Sequence, residues 1–288
     1  MKLHQSFLRN GKNRTQTDMN NKIKNIIPRR LGFWLKELKL FFTGLRYAGN
    51  KYYCPLCRHG FKTMLPGGFD LPVIKELEIV GGGYRLNNIC PRCQSTDRDR
   101  LVFLYLKHKT GFFTKPQKVL HVAPEPALYK VFNKTDNLDY TAGTKYQEGF
   151  YYNDTLPSID LTALPYGDNQ FDFVIANHVL EHIENDHKAM TEIYRVLKPG
   201  GQAILQVPLS LKLEQTYEDP SVKTEQEREK HFGQFDHVRL YGRDYPDKLK
   251  NAGFKVLKLK PASGDWPLDD VEKYALNKNE YLYIGLKA

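Results

Sequence analysis

The chain has 288 residues, of which 41% are hydrophobic, and this length is enough for one large globular domain and a smaller one. No run of 18 apolar residues occurs, so no transmembrane helix is predicted, and the first residues lack the apolar core of a secretory signal. We therefore expect a cytoplasmic protein. Its formal net charge of +10 lies wholly in residues 1–51, which carry 12 Lys and Arg against 2 Asp and Glu.

This basic arm on a neutral body favours an anionic partner, such as membrane phosphate or nucleic acid. Residues 1–27 are polar and basic and are predicted to be a disordered tail. Residues 28–48 carry apolar side chains at helical spacing and are predicted to form a basic amphipathic helix. Such a helix can pack on the protein itself, lie peripherally on the inner membrane surface, or bind a partner or RNA, and the sequence leaves all three open.

All four cysteines of the chain occur in two Cys-x-x-Cys pairs, Cys54 with Cys57 and Cys90 with Cys93. Each short turn can present two thiolates to one ion, and disulfides are rare in cytosolic proteins, so the spacing predicts one tetrahedral zinc site. Four thiolates complete the coordination shell and leave no position for a reacting water. The zinc is therefore predicted to be structural and to hold together a small module over residues 51–97.

From residue 98 onward the sequence alternates between helical and strand patterns. A helix is predicted from Arg98, and another, at 245–253, ends at a glycine. Alternation of short apolar strands with helices is typical of a doubly wound α/β sheet. The predicted strands are 118–123, 138–143, 171–175, 203–207, 254–260 and 280–287.

The order of motifs between residues 119 and 287 resembles that of class I S-adenosylmethionine-dependent methyltransferases. The matching motifs are an acid at Asp160, a Leu-Pro-Tyr-x-Asp-x-x-Phe-Asp stretch at 164–172 and a Leu-Lys-Pro-Gly-Gly turn at 197–201. The resemblance implies a Rossmann-like, seven-stranded sheet in a methyltransferase domain over residues 98–288. It also implies S-adenosylmethionine as the cofactor.

The resemblance places the cofactor contacts just after the strands, where ligands of such sheets bind. The family's first strand usually ends in an acid and a loop with three glycines. Here the acid position holds His121, and the glycine positions hold Ala123, Glu125 and Ala127. Thr144 stands where the family has a ribose-binding acid, unless a shift of one residue puts Lys145 there. The predicted cofactor-binding residues are His121, Ala123, Pro124, Glu125, Thr144, Asp160, Leu161 and Asn177.

Histidines on the expected acceptor side are the candidate general bases, since a hydroxyl or amine acceptor has to lose a proton. His178 and His182 are four residues apart and are predicted to share one helix face. Glu181 and Glu184 beside them are predicted to be solvated helix charges. A second group follows a charged segment at 214–230 that is predicted to cover the substrate. The candidate catalytic residues are His178, His182, His231, Asp236 and His237.

The sequence thus predicts methyl transfer from S-adenosylmethionine to a small molecule or to a saccharide or lipid-linked precursor. An RNA methyltransferase is one alternative, but the neutral charge of residues 52–288 makes nucleic acid the less favoured partner. A non-catalytic adaptor that binds partners through the cysteine module is another, because the motif glycines and the ribose acid are missing. Cofactor binding with turnover would exclude the adaptor, and a steep salt dependence would indicate RNA binding.

Overall fold

The computed structural model describes residues 29–145, 156–261 and 268–288, so the predicted tail at 1–27 lies outside the described residues. The first described element is a helix, and the cysteine-containing segment follows it as short strands around one short helix. These elements are α1 (Arg29–Arg46), β1 (Ala48–Cys54), β2 (His59–Phe61), β3 (Leu65–Gly67), α2 (Pro72–Glu76), β4 (Ile79–Val80) and β5 (Arg85–Ile89).

The chain then alternates between helices and strands up to its last residues. These elements are α3 (Asp97–Lys109), β6 (Gln117–Val122), α4 (Pro126–Phe132), β7 (Leu138–Gly143), β8 (Phe171–Ile175), a 3-10 turn (Leu180–His182), α5 (Asp186–Val196), β9 (Leu197–Ile204), β10 (Leu209–Ser210), β11 (Tyr217–Glu218), α6 (Glu225–Phe232), β12 (Arg239–Leu240), α7 (Tyr245–Asn251), β13 (Lys255–Leu259), α8 (Leu268–Lys273) and β14 (Leu282–Leu286). The predicted strands at 138–143 and 171–175 are confirmed at the same bounds.

The central sheet has the strand order β13-β14-β9-β8-β6-β7. Strands β6 to β9 are parallel, and β14 runs antiparallel to both of its neighbours. The doubly wound α/β class is confirmed. Seven strands were expected, whereas the sheet has six among the described residues. The segment that begins at residue 156 lies next to the end of β7. The Thr144 N–H donates a hydrogen bond of 3.0 Å to the Pro157 carbonyl, but residues 156–160 form no strand.

Alternate residues of the sheet enter cores on its two faces, as the period of a strand requires. On one face Val119 of β6 and Phe173 of β8 pack with the cysteine segment, including Cys54 and Phe61. Their sequence neighbours, such as Leu120, pack on the other face against α5 and α7. The cysteine segment therefore shares the core on one face of the sheet with helices α3 and α4.

Hydrogen bonds also join the cysteine segment to distant parts of the chain. Its strand β4 pairs with β10, and the fully buried Arg100 donates to four carbonyls. Two of these carbonyls belong to the cysteine segment and two lie near the end of the chain, at distances of 2.6–2.9 Å. They are those of Asn88, Ser95, Tyr274 and Ala275. The boundary between a module at 51–97 and a domain from 98 stays a prediction.

Helix α1 confirms the predicted helix, and the side that lies against the body carries both polar and apolar residues, such as Glu37, Phe33 and the buried Gly44. Glu37 forms an ion pair with Lys130 at 2.7 Å, and the Arg92 guanidinium lies 5.3 Å from the ring centroid of Phe41. Among the described residues, no helix has the length and apolar character needed to cross a bilayer. Seven large apolar side chains of α1 are 43–70% exposed, namely Leu31, Trp34, Leu35, Leu38, Phe41, Phe42 and Leu45.

Candidate functional site

A cleft of about 1870 Å³ opens at the carboxyl ends of β6 and β8. The chain leaves β6 toward β7 on one side and returns to β8 on the other, so this is the switch point where ligands of such sheets bind. The cleft is walled by the loops after both strands, by Gly81 and Gly82 of the cysteine segment, and by residues 232–237. One end reaches α1 at Phe33 and Trp34.

The loop after β6 keeps a glycine-like backbone without a glycine. Ala123 adopts φ 48°, in the left-handed region that glycine occupies without steric cost, and its N–H donates to the Gly143 carbonyl at 2.8 Å. Ala123 lines the cleft, whereas the buried Pro124 lies behind the loop. The altered loop sequence therefore holds the backbone turn that the family builds with glycine.

The carboxylate of Glu125 is fixed at the helix start that follows this loop. Nε2 of the buried His121 donates to its Oε2 at 3.0 Å, and the Asn177 amide donates to its Oε1 at 3.1 Å. His121 in turn accepts from the Tyr140 hydroxyl at Nδ1, 2.9 Å away. Burial acts to raise the pKa of Glu125, but the contacts with His121 and Asn177 outweigh it and lower that pKa. His121 therefore positions Glu125 from behind and does not line the cleft.

Two further polar groups, Asn177 and Asp99, lie on this side of the cleft. Asn177 lines the cleft, and its buried Oδ1 accepts no hydrogen bond from the described residues. Asp99 also lines the cleft, and burial, together with the charge of Glu125, raises its pKa to about 7. Sequence reasoning missed Asp99. The Thr96-x-x-Asp99 pattern does identify a capping box, which the structure contains, but it cannot show that this helix start faces Glu125.

The remaining predicted cofactor residues lie along one edge of the cleft. Thr144 and Leu161 are buried and line it. Asp160 accepts at Oδ1 from the Thr162 N–H at 2.9 Å and hydroxyl at 2.8 Å, while Oδ2 lies 2.8 Å from the Lys145 ammonium. Lys145 and the Thr162 bonds lower the pKa of Asp160 to about 2. Asp160 is thus a fixed, ionised group at the edge of the cleft.

The opposite side of the cleft brings together four of the five candidate catalytic residues, His178, His182, Asp236 and His237. His178 Nδ1 lies 3.3 Å from Glu181 Oε1, and the Arg98 guanidinium contacts the same imidazole from α3. Burial and Arg98 lower the pKa of His178 to about 4, against the opposing effect of Glu181. His178 is therefore a neutral and weakly basic imidazole at neutral pH.

Three predictions on this side of the cleft were wrong. His178 and His182 share no helix face, because His178 sits in a loop at φ 53° and His182 in the 3-10 turn before α5 begins. Glu181 is 1% exposed rather than solvated. His231 does not line the cleft, since its ring faces the Tyr217 hydroxyl at 2.8 Å. The catalytic roles of the remaining residues stay predictions.

Comparison with known proteins agrees with this geometry. A family described as a methyltransferase domain matches residues 133–205, which run from the end of α4 through β7 and β8 to the end of β9. The chain contains a class I methyltransferase domain. The match, the strand order and the position of the cleft all point to the same fold.

Two curated relatives match parts of this methyltransferase domain. A ubiquinone/menaquinone biosynthesis C-methyltransferase of Hydrogenovibrio crunogenus is 45% identical over 58 residues, which are 20% of this chain and 23% of that protein. An uncharacterized protein of Methanocaldococcus jannaschii is 34% identical over 96 residues, which are 33% of this chain and 43% of that protein. The chain thus spans less than half the length of each.

Solved structures align with the methyltransferase domain at low identity. The [4+2]-cyclase SpnF aligns at 19% identity and a TM-score of 0.44, over 65% of this chain and 79% of that one. Phosphoethanolamine N-methyltransferase 2 of Haemonchus contortus, in complex with S-adenosyl-L-methionine, aligns at 13% identity and a TM-score of 0.44. That alignment covers 66% of this chain and 52% of the other.

The four cysteines converge on one point beside the methyltransferase domain. Cys54 Sγ lies 3.6 Å from Cys93 Sγ, and Cys57 Sγ lies 3.7 Å from Cys90 Sγ. Sulfur atoms around a tetrahedral ion with bonds of about 2.3 Å are separated by about 3.8 Å, so the spacing fits such an ion. The Ser95 hydroxyl lies 3.3 Å from two of the sulfurs.

Proposed function

We propose that this protein transfers a methyl group from S-adenosylmethionine to a hydroxyl-bearing small molecule or glycan-type acceptor that is linked to a lipid. The observation that carries the cofactor part is the polar group at the ends of β6 and β8. There the Glu125 carboxylate is held in place, and Asn177 Oδ1 is buried without a donor from the described residues. An amino-acid ammonium supplies donors and a positive charge to such a site.

The residues around the cleft fit this cofactor in other respects. Glu125, Asn177 and Asp99 would hold its ammonium, and the backbone at Ala123 leaves room for close approach. Leu161 and the ionised Asp160 would face its adenine side, as the resemblance implies. When bound, S-adenosylmethionine supplies the methyl group on a positively charged sulfur. The chain's own task is to align an acceptor with that methyl group and to keep water out.

Calorimetric titration with S-adenosylmethionine and S-adenosylhomocysteine tests the cofactor site. We expect saturable binding of both, weakened about tenfold or more by Asn177→Ala. Asn251→Ala is the matched control, because Asn251 is exposed at the end of α7, and it should leave the affinity unchanged. Absence of binding to folded protein would overturn the proposal and favour the adaptor.

The acceptor part of the proposal is supported by the surface of α1. Seven large apolar side chains of this helix are 43–70% exposed, and the exposed Lys39 and Arg46 lie on the same helix. Aromatic and apolar groups beside lysines and arginines suit an anionic bilayer surface. The helix also forms one end of the cleft at Phe33 and Trp34. A lipid-linked acceptor could therefore enter the cleft from a membrane on which α1 lies.

Flotation with liposomes of phosphatidylglycerol and phosphatidylcholine tests this membrane contact. Wild-type protein should float, and Trp34→Glu with Phe42→Glu should abolish flotation, because both side chains are at least 60% exposed on α1. Leu86→Glu is the control, since this leucine is 70% exposed on the cysteine segment. Equal flotation of all three proteins would contradict a contact through α1, and binding of RNA with a steep salt dependence would favour the RNA alternative.

The four-cysteine cluster is proposed to hold a structural zinc ion. All four ligands are supplied by the protein, so no open position is left for chemistry, and the cluster lies within the core that covers the sheet. We expect one zinc per chain by mass spectrometry, and loss of that zinc with a large fall in melting temperature in Cys90→Ser. Full stability of a zinc-free protein would contradict a structural role.

A further inference from the structure

Glu181, His182 and His237 meet at the acceptor end of the cleft, far along the chain from the cysteine pairs. Their ligand-type atoms all lie within 4.8 Å of one another. His182 Nε2 is 3.8 Å and His237 Nε2 is 3.9 Å from Glu181 Oε1. These separations are too long for hydrogen bonds, so the three groups are adjacent but not bonded to each other.

Hydrogen bonds on the outer side of each imidazole determine which nitrogen faces Glu181. His237 Nδ1 lies 3.3 Å from the Phe232 carbonyl, an acceptor, so this nitrogen carries the proton and donates it. His182 Nδ1 lies 3.3 Å from the Asp236 carbonyl and 3.4 Å from its carboxylate, which are also acceptors. Both Nε2 atoms therefore present a lone pair toward the Glu181 carboxylate.

The Glu181 carboxylate has three histidine neighbours, the nearest being His178, whose Nδ1 lies 3.3 Å from Oε1. It is 1% exposed, and neither oxygen accepts a hydrogen bond from the described residues. Two imidazole lone pairs and a buried carboxylate pointing at one another repel, unless a cation lies between them. We propose that Glu181, His182 and His237 bind a divalent transition-metal ion at the acceptor end of the cleft.

The donor set and its surroundings fit such an ion. Bonds of about 2.1 Å to nitrogen and oxygen place neighbouring ligands about 3–3.5 Å apart, so each histidine nitrogen needs to approach Glu181 Oε1 by only about half an ångström. Two imidazoles and one carboxylate suit Fe²⁺, Co²⁺, Mn²⁺ or Zn²⁺ and leave positions open. The outward bonds of both histidines to oxygen acceptors are those that metal-bound histidines make. This ion would be distinct from the closed four-cysteine site.

The open positions face the cleft, and this suggests a task for the ion that rests on the proposed function. A hydroxyl oxygen of the acceptor that binds the ion becomes more acidic. With the ion and the cofactor bound, the O–H bond would break and its proton would pass to water, while the oxygen would form a bond to the methyl carbon as the carbon–sulfur bond breaks and the sulfur keeps the electron pair. The site would thus select hydroxyl acceptors over carbon acceptors.

Equilibrium dialysis of the purified, zinc-containing protein against Co²⁺ tests the site without any acceptor. We expect one bound Co²⁺ per chain, with the weak visible absorption of nitrogen and oxygen ligands rather than intense thiolate bands. Glu181→Gln should weaken this binding at least about tenfold. His182→Asn should weaken the binding to a similar extent. Because His182 is only half-buried, this variant serves as the test if Glu181→Gln fails to fold.

His187→Ala is the matched control, because this histidine is exposed on α5 five residues from His182, and it should bind Co²⁺ as the wild type does. The proposal is overturned if the wild type binds no Co²⁺ beyond the cysteine site, or if the variants at positions 181 and 182 bind it unchanged. Calorimetry with S-adenosylhomocysteine on the same samples separates the two proposals. Cofactor binding without Co²⁺ binding rejects only the metal site, and the reverse rejects only the proposed function.

Discussion

The carboxylates of Glu125 and Glu181, which both line the cleft, differ in their hydrogen bonds although each lies beside histidine. Both oxygens of Glu125 accept hydrogen bonds, from His121 and Asn177. Neither oxygen of Glu181 accepts one from the described residues, although three histidines surround it. The neighbouring histidine turns an N–H toward Glu125, whereas His182 and His237 turn lone pairs toward Glu181.

A histidine beside a buried carboxylate can therefore play either of two structural roles, depending on whether its N–H or its lone pair faces the carboxylate. An N–H directed at the carboxylate completes the site and fixes its charge for an organic cation. A lone pair directed at the carboxylate leaves the site incomplete and suits a metal cation. Each glutamate also follows a non-glycine residue in the left-handed region, Ala123 at φ 48° and His178 at φ 53°. The two halves of the cleft therefore both contain a non-glycine residue with left-handed backbone, but they differ in the cation that they suit.

Exchanging each glutamate for glutamine should separate the two halves most strongly. We expect Glu125→Gln to weaken binding of S-adenosylhomocysteine by about one to two orders of magnitude, because a buried charge-assisted contact is lost. Glu181→Gln should change that affinity by less than about threefold. Calorimetry on both variants measures the difference, and equal losses would show that the cleft is not divided as described.

Asp99, on the same side of the cleft as Glu125, should make the free energy of unfolding depend on pH. The Asp99 pKa is raised from 3.8 to about 7 in the folded protein, so its native carboxyl keeps a proton at pH 5 that the unfolded chain has lost. The stabilisation is complete below about pH 4 and is lost as the pH rises toward 7. We expect Asp99 to account for about 2 kcal/mol of the fall in the free energy of unfolding between pH 5 and pH 8.

Urea unfolding at both pH values checks this prediction. Asp99→Asn should remove the Asp99 share while keeping the oxygen that caps α3. The share should also shrink in Glu125→Gln, because the charge of Glu125 contributes to the raised pKa. Glu280→Gln is the control. Burial and the charge of Asp97, rather than that of Glu125, raise the pKa of Glu280 to about 7, so Glu280→Gln should leave the Asp99 share in place. A pH dependence unchanged by Asp99→Asn would contradict the assignment.

Replacing Ala123 by glycine, which should relieve backbone strain, is expected to have the smallest effect on stability. Glycine accepts φ 48° without the clash of a Cβ atom, so Ala123→Gly is expected to raise the free energy of unfolding by up to about 1 kcal/mol. Binding of S-adenosylhomocysteine should stay within about twofold. Ala127→Gly, in helix α4, should lower stability by about 1 kcal/mol. If both substitutions destabilise the protein equally in thermal unfolding, the left-handed backbone at position 123 carries no strain.

Most of the fold could be predicted from the sequence because its signals are local, although the sheet has six of the seven expected strands among the described residues. The strands at 138–143 and 171–175 are short apolar runs with clear ends, and the two Cys-x-x-Cys pairs predicted a cluster that the structure contains. The cofactor side was reached through residues next to strand ends, such as Glu125 and Asn177. These positions follow from the family resemblance and from the rule that ligands of such sheets bind just after the strand ends.

The roles of the residues on the acceptor side could not be predicted in the same way, because they depend on which side chains are buried and on the direction in which each points. Glu181 has the sequence context of a surface helix charge, yet it is buried by the chain around His237, more than fifty residues later. Arg98 reaches His178 from α3, 80 residues earlier in the chain. Nothing in the spacing of these residues shows which imidazole nitrogen faces the carboxylate.

The buried Arg100 joins parts of the chain that are far apart in sequence. Its guanidinium donates to two carbonyls that are synthesised before it, at Asn88 and Ser95, and to two that are synthesised 174 and 175 residues after it, at Tyr274 and Ala275. Strand β14, which follows these carbonyls, lies between β9 and β13 in the sheet. A nascent chain therefore holds a partly bonded arginine and an open sheet until residues 274–286 have been made. A chain truncated between residues 240 and 273 should be treated as unfolded by chaperones and proteases, although its cysteine pairs and cleft residues are all present.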